Sequence, residues 1–156
     1  MITKPTKSAL TSTKIHIGGE RKIQLEEFAA AQHAPLSAAI GHLIKFAQNQ
    51  GMISHGIPQV QVRRATDGIA VAFDDQIPIG FAPSAAKELA EVVRTYADGS
   101  HTSKVFMNLD HDYEISRQGR GVTITIPLGG VKKTWAPDLA HEFADLLDAE
   151  AAKFDN

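Results

Sequence analysis

The chain has 156 residues, 43% of them hydrophobic and 22% charged, with no cysteine. That is enough for one compact core or two small units, and it excludes disulfides and thiolate metal sites. The net charge of −2 conceals an asymmetry. Residues 1–22 carry Lys4, Lys7, Lys14, Arg21 and Lys22 against Glu20, a balance of +4. Residues 138–156 carry Asp138, Glu142, Asp145, Asp148, Glu150 and Asp155 against Lys153, a balance of −5. A basic front suits an anionic partner. The opening residues do not read as a leader, and no apolar run approaches the roughly 18 residues a membrane span needs. The cytoplasm is the expected compartment.

In chain order, residues 1–12 are rich in Thr, Ser and Lys and are expected to form a disordered basic arm. Thr13 to Ile17 alternate polar and apolar residues, the period of a short half-buried strand, and Gly18-Gly19 ends it. A helical pattern follows from about Arg21 to His33, with Leu25, Phe28, Ala29 and Gln32 on one stripe. Pro35 breaks it. A second helix over residues 36–50 places Leu36, Ile40, Leu43, Ile44 and Ala47 on one face. Residues 51–59, with Gly51, Gly56 and Pro58, are expected as a linker.

Between residues 62 and 151 the chain repeats a pattern. The first copy runs from Val62 through Ile69, Val71 and Phe73 to Phe81-Ala82-Pro83 and an apolar-striped helix. The second runs from Ile115 through Val122, Ile124 and Ile126 to Trp135-Ala136-Pro137 and a second such helix. Over the twelve positions from Ala82 to Val93, five residues are identical in the second copy, where chance gives about one. Leu89 corresponds to Phe143, Val92 to Leu146 and Val93 to Leu147. Each copy therefore predicts three strands and a helix that covers their apolar face. The expected fold class is α+β: an N-terminal strand-helix-helix unit over 13–50, then tandem βββα repeats over 60–99 and 104–154 with antiparallel sheets.

The segment from Ser12 to Gln50 resembles the ribbon-helix-helix (Arc-like) DNA-binding family. The resemblance covers about a quarter of the chain. It implies an obligate dimer in which two strands pair into a ribbon that enters the major groove. Ile15 and Ile17 would point into the dimer core, and Ser12, Lys14 and His16 toward base edges. Arg21 and Lys22 would lie near phosphates. Ser37 would sit at the start of a second helix whose backbone N–H groups hold a phosphate. Two features depart from the family: Gly18-Gly19 lengthens the strand exit, and Pro35 replaces the usual hydroxyl cap. A helical hairpin that packs on the repeat, or a helix-turn-helix over residues 25–43, also fits these residues.

Other constellations predict little chemistry. His141-Glu142-Phe143-Ala144-Asp145 resembles the helical zinc-protease motif, but Asp stands where the second His belongs; a solvated helix face is the expectation, with no metal or cofactor. Asp110-His111-Asp112 reads as a polar loop, and Phe81 and Trp135 as core. No nucleophile motif surrounds a serine. The expected function is a small DNA-binding transcriptional regulator, not an enzyme, with a duplicated domain that oligomerises or binds a partner. The competing reading is a protein-interaction module of antiactivator or inhibitor type, whose acidic last helix meets a basic partner.

Overall fold

The computed structural model describes residues 13–155, so the expected arm over residues 1–12 lies outside the described residues. The fold is α+β, with four helices and two antiparallel sheets among the described residues. Helices α1 (Gly19–Ala31) and α2 (Leu36–Asn49) form an N-terminal hairpin. Strands β1 (Val60–Arg64), β2 (Ile69–Phe73) and β3 (Ile79–Phe81) lead into α3 (Pro83–Asp98). Strands β4 (Val105–Asn108), β5 (Tyr113–Gln118), β6 (Gly121–Ile126) and β7 (Val131–Trp135) lead into α4 (Pro137–Ala152). Both sheets are meanders, ordered β1-β2-β3 and β4-β5-β6-β7.

Local chemistry sets the element ends. Helix α1 stops two residues earlier than its apolar period predicts. His33 takes a left-handed φ of 50°, and Pro35 steers the residue before it away from helical geometry. Pro83 and Pro137 open α3 and α4, where a missing N–H leaves no intrahelical bond unmade. Gly99 ends α3 in the left-handed region at φ 75°, and its N–H reaches back to the carbonyls of Thr95 and Tyr96. Arg117 completes that cap from β5 by donating to the Tyr96 carbonyl at 2.8 Å. In the β1–β2 turn, a Cβ on Gly68 would lie 2.2 Å from the Phe81 carbonyl oxygen. Only glycine lets β3 pass that close.

The two strand-and-helix halves share their register. Val62 faces Val71 and Arg64 faces Ile69 across β1–β2. Ile115 faces Ile124 and Arg117 faces Val122 across β5–β6, each 53 positions later. Across the next pair, Ile69 faces Phe81 and Val122 faces Trp135. Leu89 on α3 and Phe143 on α4 are both fully buried. The halves differ in β4, which sequence periodicity did not predict: the segment over 104–154 is a four-stranded unit, not βββα.

The helices are shared between the sheets. Helix α3 packs mainly on β5 and β6 and also meets β3, while α4 packs on β1 and β2 and on β6 and β7, and α3 and α4 lie side by side. Their ion pairs run antiparallel: Lys87 to Asp155 at 2.9 Å, Arg94 to Asp145 at 2.9 Å, and Asp98 to His141 at 2.7 Å. One continuous core results. Phe73 of β2 packs on Phe143 and edge-on to Trp135, both at 5.7 Å between ring centres, and Phe81 meets Tyr113 at 6.2 Å. Lys133 of β7, nearly buried, donates to the Asp74 carboxylate just beyond β2. The two aromatic side chains expected in the core are there: Phe81 is buried and Trp135 half-buried.

Residues 51–59 join α2 to β1 without regular secondary structure, and Ile57 within them is buried in the shared core. The Gln48 amide also holds this segment, donating to the Ser54 and Gly56 carbonyls at 3.1 and 3.2 Å. The strand expected over Thr13–Ile17 is not formed within the single chain: residues 13–18 have no regular secondary structure. A strand needs a neighbour to satisfy its N–H and C=O groups, and no other strand of the described chain lies beside this one.

Candidate nucleic-acid interface

The site is built from the segment before α1 and the two hairpin helices. Residues 13–24 are all exposed. Lys14 and His16 therefore stand in solvent, as do Ile15, at 81% of its full surface, and Ile17. Arg21 donates to Gln24 one turn along at 2.8 Å. Lys22 lies 3.6 Å from Glu26, a pair exposed on both sides and weak for that reason. Ser12 lies outside the described residues.

The hairpin covers little of its own apolar surface. Its buried residues are Ala29, Ala39 and Gln48. Leu25 and Phe28, expected on the buried stripe of α1, are half-buried, and Gln32 is exposed. On α2 the expected core face is the face left open: Leu36, Ile40, Leu43 and Ile44 are exposed, Ile40 at 40%, and Ala47 alone of that face is half-buried. Ile23 and Phe46 add to the open surface. The physical reason is small contact area. Helix α2 approaches α4 closely at Gly41, where a Cβ would sit 3.0 Å from an Asp138 carboxylate oxygen. The bulky residues of α2 therefore point elsewhere.

Between α2 and α4 lies a cleft of about 420 Å³. Ser37, His42 and Lys45 of α2 face Asp138, His141, Glu142 and Asp145 of α4 across it. Burial raises the Glu142 carboxyl above its ordinary value; Lys45 opposes that shift, and Asp138 and Asp145 reinforce it. His141 is bonded through Nε2 to Asp98, and Asp145 is engaged by Arg94. Arg94 also reaches Asp148 at 2.6 Å, and the Asp145 bond, ahead of Asp148, raises its pKa despite some desolvation. His141 and Asp145 thus bind α3. Among the described residues no group of three or more His, Cys, Asp or Glu side chains could hold a metal.

The predicted DNA-contact residues divide in two. Lys14, His16, Arg21 and Lys22 share the open N-terminal end, whereas Ser37 lines the cleft that Asp138 of α4 also lines. A carboxylate across that cleft disfavours a phosphate. Sequence reasoning missed the cleft itself, although the pairing of Ala38 and Gly41 on one helix face is the signal of a close approach. Asp110 and His111 lie in the turn between β4 and β5, where the His111 N–H is held by Asn108, and Asp112 accepts from the Leu128 N–H.

Comparison of the chain with protein-family models, with characterised proteins and with solved structures finds no match. No helix among the described residues is long and apolar enough to cross a membrane.

Proposed function

We propose that this chain is a small DNA-binding regulator whose N-terminal unit works as a dimer on a duplicated α+β body. One observation carries the reading: an unpaired segment with exposed Ile15 and Ile17 is followed by a hairpin in which Ile40, Ile44 and Phe46 are also exposed. A second copy would supply both the missing strand and the missing cover, as the ribbon-helix-helix resemblance implies. Lys14 and His16, alternating with the two isoleucines, would then face the groove, with Arg21 and Lys22 near phosphates. The matching registers of the two halves support a duplicated origin for the body, which on this reading is a scaffold in the cytoplasm without catalytic chemistry.

One observation favours a second reading. Ser37 lines a cleft whose other wall is the acidic face of α4, with Asp138, Glu142 and Asp145, which suits a protein-binding module with a basic partner. Titration of labelled duplex DNA with the intact chain at two salt concentrations separates the two. The regulator reading expects binding that weakens as salt rises. Lys14→Ala should cost about 1–3 kcal/mol and relax sequence preference. If a folded chain lacking residues 1–18 keeps full affinity, the N-terminal end does not carry the function and the module reading takes its place.

A further inference from the structure

The cleft between α2 and α4 joins an apolar lining to an acidic wall. Pro35, Ala38 and Gly41 of α2 and Pro137 of α4 supply the apolar part. Asp138, Glu142 and Asp145 of α4 supply the charge, against a single lysine, Lys45, on the wall of α2. Arg94 of α3 already holds Asp145 at 2.9 Å, and Lys45 is the cation that Glu142 senses. Asp138 is different. No hydrogen bond or salt bridge among the described residues engages its carboxylate, although it stands at the closest approach of the two helices, opposite Gly41. A long side chain with a cationic head could lay its stem along the apolar lining and bring its charge to Asp138.

We infer that this cleft seats the chain's own N-terminal arm, residues 1–12, with Lys4 or Lys7 against Asp138. Charge and tether select this occupant. Residues 1–14 carry Lys4, Lys7 and Lys14 and no acidic residue, the first being Glu20. That charge complements the α4 wall, and Pro5, between Lys4 and Lys7, offers an apolar ring to the lining. Gly19, where α1 begins, is twelve residues beyond Lys7, and that stretch spans up to about 40 Å. Helix α2, fourteen residues long and packed on α1, measures only about 21 Å, so the arm reaches every part of the cleft. A tethered segment also meets its site at a local concentration on the order of millimolar, which a free cationic peptide has to match. The arm is thereby an internal competitor, and a cationic partner reaches the α4 wall only as the arm leaves it. The seating uses Lys4 and Lys7, and rests on no contact between DNA and Lys14, His16, Arg21 or Lys22.

The chain contains no cysteine, so Thr6→Cys gives the full-length protein one attachment point for a nitroxide and leaves both arm lysines in place. In the isotope-labelled chain the amide signals of Gly41 and Asp138 are expected to lose most of their intensity to the nitroxide. The signal of Gly68, in the β1–β2 turn, is expected to keep its own. The loss at Gly41 should shrink as salt rises and should shrink again in Asp138→Asn, which removes the charge and keeps the side-chain shape. Full intensity at Gly41 and Asp138 beside an active nitroxide overturns the proposal, as does an unchanged loss at Gly41 in Asp138→Asn. An equal loss when the nitroxide sits on a separate chain, mixed with the isotope-labelled one, also overturns it, because the cleft would then hold the arm of a second copy. DNA is absent from every sample, so a negative DNA titration leaves these readings interpretable.

Discussion

The body and the hairpin of this chain treat apolar residues in opposite ways. In the body, Phe73, Phe143, Leu89 and Ile124 are all fully buried, and the central strands β2 and β6 are buried nearly end to end. In the hairpin, small Ala29 and Ala39 are buried while Ile40, Ile44 and Phe46 stand in solvent. Both regions have the period of amphipathic elements, so pattern alone does not separate them. What separates them is cover. Helices α3 and α4 cover the inner faces of both sheets within the same chain. The hairpin meets the body through α2 and has only α1 for its own cover. An apolar face that a chain does not itself cover is a signature of association, and the proposed dimer rests on that contrast.

The largest expected effect tests the body. Phe143→Ala removes a fully buried ring that touches Phe73 and Trp135, and should cost about 3–5 kcal/mol of stability. Leu89→Ala should cost about 2–5 kcal/mol. Because the core is continuous, either variant should lower a single unfolding transition as read by calorimetry. Two resolved transitions would mean that the halves unfold separately and would break the comparison at its root.

The hairpin should respond differently. Ile40→Glu and Ile44→Glu replace exposed side chains, so their effect on unfolding of the body is expected within about 0.5 kcal/mol. Their effect should fall on association. The unmodified chain is expected to sediment at twice its mass or more at micromolar concentration, and each variant to lose one association step with helix content retained in circular dichroism. A chain that is monomeric before any substitution would remove the dimer, and with it the ribbon.

Much of this contrast was legible in the sequence, and the illegible parts have physical causes. The alternation of Ile69, Val71 and Phe73, and of Val122, Ile124 and Ile126, located the central strands because each packs one face on helices. Pro83 and Pro137 marked the helix starts through chemistry that is purely local. β4 was hidden because Val105, Phe106 and Met107 are apolar on both faces and show no period. The sharing of α3 and α4 between the sheets was hidden because apolar helices of matching register fit either sheet, and only the three-dimensional arrangement chooses. At the candidate interface, Lys14 and His16 were legible as exposed alternating residues. The cleft that Ser37 lines was not, since Asp138 on its other wall lies a hundred residues away in the chain.

A smaller effect probes the seam between α3 and α4. Arg94 is the hub of that seam, contacting Asp145 and Asp148 of α4 and lying 3.9 Å from Glu91. Its carboxylate partners are partly exposed, so solvent screens the pairs and the expected cost of Arg94→Met is about 0.5–1 kcal/mol. Urea denaturation should show that loss shrinking as salt rises. A salt-independent loss would instead assign Arg94 a packing role through its methylene stem.

The smallest expected effect lies where hairpin and body meet, at Glu142. Its carboxyl is raised first by burial against the α2–α4 cleft, with Asp138 and Asp145 adding to the shift and Lys45 opposing it. His42 of α2 and His141 of α4 also line this cleft, and His141 is held by Asp98 of α3. A carboxyl raised on folding binds its proton more tightly in the folded chain than in the unfolded one. Stability contributed by this group is therefore fully present below the ordinary carboxylate range and is lost as pH rises through the raised value. Above that value the folded chain holds a charge it disfavours. Glu142→Gln removes the charge while keeping the shape, so it should raise the melting temperature slightly at neutral pH. Near pH 4, where the native carboxyl is largely protonated, the gain should vanish. Melting curves of both proteins from pH 4 to pH 8 read this difference directly. A loss of stability at neutral pH would show that the Glu142 charge is held favourably by Lys45, and that the hairpin is fastened to the body by an ion pair rather than merely resting against it.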